Sequence, residues 1–400
     1  MEARWPAPPL SDEGAPGGSL TARELRRYAR QVVLPEVGPE GQKRLEAARI
    51  LIVGTGGLGS PAALYLAAAG VGTLGLVDFD RVEESNLHRQ LLFGPADVGR
   101  SKLAAAADRL RQVNPDLRIE TREEPFSAAS GLEIVQRFDI VLDGTDNFPT
   151  RYLVNDACVL AGLPNVYASV FRFEGQASVF WKGRGPCYRC VHPVPPPPGA
   201  IPSCAEGGVL GVLPGLLGLI QATEAIKLVL GTGRPLLGRL LLVDLLGMEF
   251  REIALSKDPD CAICGNRPTR TRLEAEPGAA CHDAPVVGFP PVRAAVPEIT
   301  PEQLQGRRVR GERVVLLDVR EPHEYAFSDL PESVKIPLGS LPQNYEKLSP
   351  ADDIVVYCRV GGRSANAVQF LQQKGYGKAV NLAGGINSWA ERIDPSLSRY

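Results

Sequence analysis

From Arg49 onward the chain alternates short apolar runs with longer amphipathic stretches. "RILIV" runs into the glycines of "GTGGLGS", and "PAALYLAAAG" reads as the helix after it. "TLGLVDFD" is the next strand. "SKLAAAADRLRQV" puts Leu103, Ala107 and Leu110 on one helical face, and Asn114-Pro115 stops it. "LRIETREE" and "FDIVLDGTD" read as further strands. Strands alternating with helices predict an α/β domain with a largely parallel sheet covered on both faces. Upstream, Thr21 and Glu24 in "TARE" stand as a capping box that starts a helix. Downstream, a long helix from about Leu216 to Leu230 precedes strand-like "RLLLVDLL" and "MEFREIAL", and "DPDCAICGNRP" is a turn. From Pro297 a second, smaller α/β pattern begins with "RVVLLDVR", "DIVVYC", "SANAVQFLQQKG" and "AVNLAGGINSWAERI".

The chain has 400 residues, too many for one ordinary core. Residues 1–19 read as a disordered tail, 20–265 as a first domain, 266–297 as a linker rich in Pro, Arg, Ala and Glu, and 298–400 as a second domain. The longest apolar stretch, Val209 to Leu230, is interrupted by Pro214, Gln221, Glu224 and Lys227, which favours a packed helix over a membrane span. A net charge of -2 advertises neither nucleic acid nor an acidic membrane. The N-terminus lacks an apolar signal region, so a cytoplasmic protein is expected. In that setting eight cysteines point to metal binding or catalysis rather than disulfides.

Gly54, Gly56 and Gly59 form G-x-G-x-x-G between a strand and a helix, where backbone amides approach phosphates. Asp78 ends the second strand, where an acidic residue binds a ribose hydroxyl. These features alone also fit an NAD-dependent oxidoreductase. Asn86, Arg89, Gln90 and Lys102 follow closely. Hydride transfer has no evident need for several cations beside the phosphates. Attack of a carboxylate on an α-phosphate does, because two anions must meet. "LDGTDN" ends another strand with Asp143, Asp146 and Asn147, which places Asp146 well for magnesium.

The segments "RYARQVVLPEVGPEGQKRL", "VGTGGLGS", "VDFDRVEESNLHRQ", "VGRSK" and "DGTDNFPTRYLVND" resemble the ThiF/MoeB adenylyltransferases, relatives of the ubiquitin-activating enzymes, over roughly residues 20–265. The resemblance implies a Rossmann-like adenylation domain. It implies ATP-dependent adenylation of the C-terminal Gly-Gly of a ubiquitin-like sulfur-carrier protein. It places ATP against Gly54, Gly56, Gly57, Gly59, Asp78, Asn86, Arg89, Gln90, Lys102, Asp146 and Asn147, with magnesium at Asp146. Arg30 in "RYARQ" would reach the γ-phosphate of the opposite subunit, which implies a homodimer.

Cys187-x-x-Cys190 and Cys261-x-x-Cys264 offer four thiolates, enough for a closed tetrahedral zinc site of structural role. The family resemblance carries zinc at the same four positions. Cys158 lies on a helical pattern and reads as a small core residue. Cys281 stands beside His282 and is read as a surface thiol. Cys204, in "IPSCAEGGVLG", lies in a Pro/Gly-rich loop able to bring a nucleophile to an activated acyl group. "CAEGGVLGVLPG" resembles the segment that holds the working cysteine of sulfur-transferring members.

"VVYCRVGGRSA" ends an apolar run on Cys358 and surrounds it with Arg359, Val360, Gly361, Gly362 and Arg363. Such a loop offers amide donors, a following helix N-terminus and positive charge, all of which favour a thiolate or a persulfide anion. A tyrosine-phosphatase loop would use C-x5-R after a histidine, whereas here the spacing is C-x4-R after Tyr357. "LLDVREPHEY", "YCRVGGRSA" and "NLAGGINSW" resemble a rhodanese domain. Asp318 ends a strand and either orients the loop or caps a helix at Glu321; the structural role is preferred.

Joined, the halves predict an adenylyltransferase and sulfurtransferase that uses ATP, magnesium and zinc. The carrier is adenylated, and Cys358, loaded by a cysteine desulfurase or thiosulfate, delivers persulfide sulfur. Cys204 then either resolves an acyl disulfide or, in another order, first forms a thioester. Molybdopterin, thiamine, cysteine and thiolated-tRNA pathways all use such carriers. A ubiquitin-like conjugation or scaffold protein with a docking rhodanese domain is the alternative.

Overall fold

Arg49–Val53, Thr73–Val77, Arg118–Arg122 and Ile140–Asp143 form strands β1 to β4 of the computed structural model, which describes residues 19–196, 208–275 and 296–399. The tail through residue 18, Cys204 and Cys281 lie outside the described residues. Strands β5 (Asn165–Phe171), β6 (Glu174–Phe180), β7 (Arg239–Asp244) and β8 (Glu249–Ala254) complete an eight-stranded sheet, ordered β3-β2-β1-β4-β5-β6-β7-β8. The pairings from β3 through β5 are parallel, and those from β5 through β8 are antiparallel. The expected largely parallel, doubly covered sheet is therefore corrected in its second half. A tight turn at Arg172, with φ near +54°, lets β6 return directly beside β5 without a crossover helix. Strand β8 is exposed along its whole length.

Helices α1 (Ala22–Val32), α2 (Gly38–Ala47), α3 (Gly59–Ala69), α4 (Lys102–Val113), α5 (Gly131–Val135), α6 (Phe148–Ala161), α7 (Tyr188–Val191) and α8 (Val212–Leu230) belong to the same unit. The predicted capping box holds: the Thr21 side chain accepts from the Glu24 amide, and the Glu24 carboxylate accepts from the Thr21 amide. Leu103, Ala107 and Leu110 are buried on α4, as their spacing requires. Helix α8 is long and apolar enough to cross a membrane. Instead Leu213, Leu217, Ala222, Ala225, Leu228 and Val229 join the core around β1 and β2. Its polar interruptions are used there: Gln221 donates to the carbonyls of Asp143 and Val166, and Glu224 accepts from the Leu236 amide. The composition of residues 266–297 predicts a linker, but its described beginning packs on this unit. Leu273 lies against the cluster of Phe126 and Ile134, and Arg270 pairs with Asp156.

In the second unit, strands β9 (Glu298–Ile299), β10 (Val315–Asp318), β11 (Val334–Lys335), β12 (Ile354–Tyr357) and β13 (Val380–Leu382) form an all-parallel sheet, ordered β11-β10-β12-β13-β9. Helices α9 (Pro301–Val309), α10 (Leu341–Asn344), α11 (Gly362–Gln373) and α12 (Gly385–Arg392) accompany it. Val355 and Tyr357 of β12 face one apolar cluster, and Ile354 and Val356 face the other, so the central strand is buried on both sides.

Candidate active sites and metal centre

The glycine loop sits at the carboxyl ends of β1 and β4. Gly54, with φ near +90°, approaches the Gly144 carbonyl so closely that a Cβ would lie 2.9 Å from it, and a Cβ on Gly59 would lie 2.0 Å from the Gly54 carbonyl. Only a chain without side chains at these points lets the two strand ends and the start of α3 meet. Asp78 is buried at the end of β2. Its carboxylate accepts from the Thr55 amide at 2.8 Å and from the Thr55 hydroxyl at 2.7 Å. Its other oxygen accepts from the Asp80 amide, and Asp80 pairs with the buried Lys102 at 2.7 Å. Gln90 and Arg89 lie over Gly56 and Gly57: a Cβ on either glycine would be 3.6 Å from the Gln90 Nε2 or the Arg89 Cδ. Asn86 is buried on the turn that carries Arg89, and its side chain accepts from the Glu83 amide.

The structure thus brings Gly54, Gly56, Gly57, Gly59, Asp78, Asn86, Arg89, Gln90 and Lys102 to one end of the sheet. Asp146 and Asn147 are exposed beside them, on the turn after β4. Asn147 serves the fold, because its side chain accepts from the Thr150 amide and caps α6. Arg30 is exposed in the last turn of α1 and joins no hydrogen bond or ion pair of this cluster among the described residues.

Three features of this site carry no signal in the sequence. Arg89 donates to the Ser85 carbonyl at 2.8 Å and lies 2.7 Å from the His88 Nε2. A guanidinium has no acceptor, so the ring nitrogen accepts and the His88 proton sits on Nδ1. Burial and the Arg89 charge both hold the His88 pKa below its usual value. Asp80 is the anion that meets Lys102. Behind Asp146, the fully buried Asp143 faces Arg151. Burial pushes the Asp143 carboxyl up, while Arg151 keeps its proton against burial through Tyr167 and Asp143.

The sulfurs of Cys187, Cys190, Cys261 and Cys264 lie within 4.8 Å of one another. Their contacts include 3.6 Å between Cys187 and Cys261, 3.3 Å between Cys190 and Cys264 and 3.9 Å between Cys187 and Cys190. A tetrahedral ion with zinc–sulfur bonds of about 2.3 Å needs sulfurs about 3.8 Å apart, so this donor set fits zinc. Hydrogen bonding among the four sulfurs lowers the pKa of Cys190, to about 6, and of Cys261, and raises those of Cys187 and Cys264; a bound zinc ion would hold all four as thiolates. Helix α6 aligns the first pair from outside. The Asn155 side chain accepts from the Tyr188 amide, and Asp156 receives two hydrogen bonds from Arg189, at 2.7 and 2.8 Å. Fresh full-length protein is expected to carry stoichiometric zinc by elemental analysis. Cys264→Ser should lose the metal and lower the melting temperature, and an equal melting temperature in metal-free protein would contradict the structural role. Cys158 is buried on α6, and burial pushes its thiol well up, as befits a core residue.

In the second unit Cys358 is buried directly after β12. Its sulfur accepts from the Gly361 amide at 3.1 Å and from the Ser364 hydroxyl at 3.2 Å. Gly361, with φ near +101°, turns the loop into α11, which starts at Gly362, while Val360 is exposed at the loop tip. The "AGG" of the third motif braces the loop from behind. The amides of Ile386 and Asn387, in the first turn of α12, donate to the carbonyls of Cys358 and Arg359. A Cβ on Gly385 would lie 2.5 Å from both carbonyls.

Two expectations change here. Arg363 does not add free positive charge, because Glu324 accepts from it twice at 2.6 Å in a buried pair. Nor does Asp318 cap a helix at Glu321. It forms a fully buried pair with Arg320 and accepts from the Arg320 amide. Arg320 in turn donates to the Ser328 carbonyl, which fixes the strand end beside the loop.

A glycine loop lined by Arg89 and Lys102 at a sheet's carboxyl edge, with a second α/β unit that presents a cradled cysteine, is the arrangement of a two-domain enzyme of nucleotide activation and sulfur handling. Comparison with known proteins agrees: the ThiF family profile matches residues 28–263, a rhodanese-like domain matches residues 300–392, and the chain belongs to the ThiF family. It is 44% identical to a probable adenylyltransferase/sulfurtransferase MoeZ of Mycobacterium tuberculosis, over 98% of this chain and 99% of that one. It is also 44% identical to the adenylyltransferase and sulfurtransferase MOCS3 of Bos taurus, over 96% and 90%. A sulfur carrier protein adenylyltransferase of Thermus thermophilus is 52% identical over 63% of this chain and 95% of its own length. The fold of the first unit is shared with E. coli MccB in complex with MccA-N7isoASN, with a TM-score of 0.54 at 23% identity over 60% of this chain and 75% of that one.

Proposed function

We propose that the chain is an adenylyltransferase and sulfurtransferase that converts the C-terminal Gly-Gly carboxylate of a ubiquitin-like sulfur carrier into a thiocarboxylate. The observation that carries this reading is the pairing, in one chain, of a cation-lined glycine loop with a buried cysteine sulfur that accepts from an amide and a hydroxyl.

ATP is the substrate of the first site. The glycine-loop amides and the α3 N-terminus receive its phosphates, and Asp78 takes the ribose hydroxyls after releasing Thr55. Lys102 exchanges Asp80 for a phosphate, and Arg89 neutralises charge as the carrier carboxylate meets the α-phosphate. The carboxylate is already a nucleophile, so positioning and charge stabilisation suffice. Asp146, the exposed carboxylate beside the loop, would hold magnesium, whose charge assists departure of pyrophosphate. Arg30, exposed on α1, serves the site of a second copy, so the working enzyme is a homodimer. The four cysteines hold structural zinc.

At the second site the Cys358 thiolate accepts a sulfur atom from a persulfide donor or thiosulfate. The Gly361 amide and Ser364 hydroxyl stabilise the anionic sulfur. The terminal persulfide sulfur attacks the carrier acyl-adenylate and AMP leaves with the bonding pair. Cys204 attacks the Cys358 sulfur of the acyl disulfide, which frees the thiocarboxylate and leaves a Cys204–Cys358 disulfide for an external thiol to reduce. The cytoplasm supplies both ATP and reducing thiols, which places the enzyme there.

The test is ATP–pyrophosphate exchange by the full-length protein with a panel of Gly-Gly-ended carrier proteins. Exchange that depends on one of them supports the reading, and exchange with none refutes it.

A further inference from the structure

The exposed Asp146 stands on a turn whose backbone is pinned from below. The Asp143 carboxylate accepts from the Thr145 amide at 3.0 Å and from the Thr145 hydroxyl at 2.6 Å. Arg151, one turn into α6, donates to the Thr145 carbonyl at 3.3 Å. Its guanidinium stacks between Phe148 and Tyr167, 5.2 and 5.3 Å from the ring centroids, and lies 4.0 Å from the second Asp143 oxygen. Asp143, Thr145 and Arg151 are 0%, 6% and 7% exposed. On the far side of Asp146, Asn147 is committed to capping α6. Both neighbours of Asp146 are therefore fixed, while its own carboxylate is exposed.

We infer that Asp143, Thr145 and Arg151 form a buried clamp of positioning residues that aims the Asp146 carboxylate at the metal accompanying ATP. This rests on the reading of Asp146 as the magnesium-holding group. The clamp acts through geometry rather than through its field, because the Arg151 charge is met by Asp143 within the clamp. Thr145 is the junction: its amide and hydroxyl bind Asp143, and its carbonyl binds Arg151. A loosened Thr145 lets the next residue swing, and a metal ligand that swings binds more weakly without losing its charge.

The experiment is calorimetric titration of full-length protein with ATP, in the presence of magnesium and in the presence of EDTA, with no carrier added. The quantity read is the gain in ATP affinity that magnesium provides. Thr145→Val keeps the shape of the side chain and removes the hydroxyl bond. It should shrink that gain by about fivefold, with magnesium-free affinity close to wild type. Thr145→Ser, which restores the hydroxyl, should recover most of the gain, and Arg151→Lys, which keeps the charge but not the fork, should lose it. Melting temperatures of all variants are measured alongside, since a merely structural role would shift them without changing the magnesium dependence. A gain equal to wild type in both Thr145→Val and Arg151→Lys overturns the inference, as does a wild type that gains nothing from magnesium. If wild type shows the magnesium gain but no carrier-dependent exchange, the adenylation reading fails, and the binding series still decides the clamp.

Discussion

Asp146→Ala is expected to lower carrier-dependent ATP–pyrophosphate exchange by roughly a thousandfold, and Arg89→Ala by a similar factor. The reaction brings a carboxylate to a polyphosphate, so its barrier is set by repulsion between anions and by charge building on the departing pyrophosphate. Arg89 lies over Gly57 and brings a full positive charge to the glycine loop, which backbone amides alone do not supply. Asp146 is the exposed carboxylate on the turn beside the loop, and alanine there removes the anchor for the metal. Asp146 is exposed and Arg89 half-buried, and neither belongs to an apolar cluster, so melting temperatures should stay near wild type. Thiosulfate:cyanide sulfurtransferase activity should persist in both variants. Wild-type exchange in the two variants would remove the nucleotide-site assignment.

Cys358→Ala is expected to abolish thiosulfate:cyanide sulfurtransferase activity while carrier-dependent exchange continues. No other described group in the second unit offers a sulfur nucleophile. The Cys358 sulfur is held by Gly361 and Ser364, and its carbonyl by the first turn of α12, so the loop is shaped around this one atom. Alanine fits the same space, and the variant should fold. In a complete reaction it should accumulate adenylated carrier and yield no thiocarboxylate. Residual sulfurtransferase activity comparable to wild type would show that the sulfur travels by another thiol, and would favour a docking role for the rhodanese-like unit.

Most of the residues proposed for the two sites were legible because their chemistry is local in the chain. The glycine loop, the Asp78 strand end, the Asn86–Gln90 turn and the Cys358 loop each occupy a few consecutive residues with distinctive turn chemistry. The two cysteine pairs were legible despite their separation because few other folds need that spacing. What escaped was pairing across distance. Glu324 and Arg363 are 39 residues apart, and Asp156 and Arg189 are 33 apart, and charge in a sequence does not reveal its partner. From sequence alone Arg363 therefore reads as available positive charge, although Glu324 meets it. The β5–β6 hairpin was missed because its turn is built on Arg172 rather than on glycine, so the apolar runs on either side carried no punctuation. Leu273 and Arg270 sit in a stretch of linker composition but are held by long-range contacts that composition cannot register.

The central claim is that a carboxylate activated by the first unit is captured by sulfur from the second. The most direct test is intact mass spectrometry of a Gly-Gly-ended carrier after incubation with the full-length protein, ATP, magnesium, thiosulfate and a thiol reductant. The account predicts a carrier in which one oxygen has been replaced by one sulfur, with AMP released in equal amount, and no such product from Cys358→Ala. A carrier of unchanged mass, with no AMP formed across the whole panel, would contradict it.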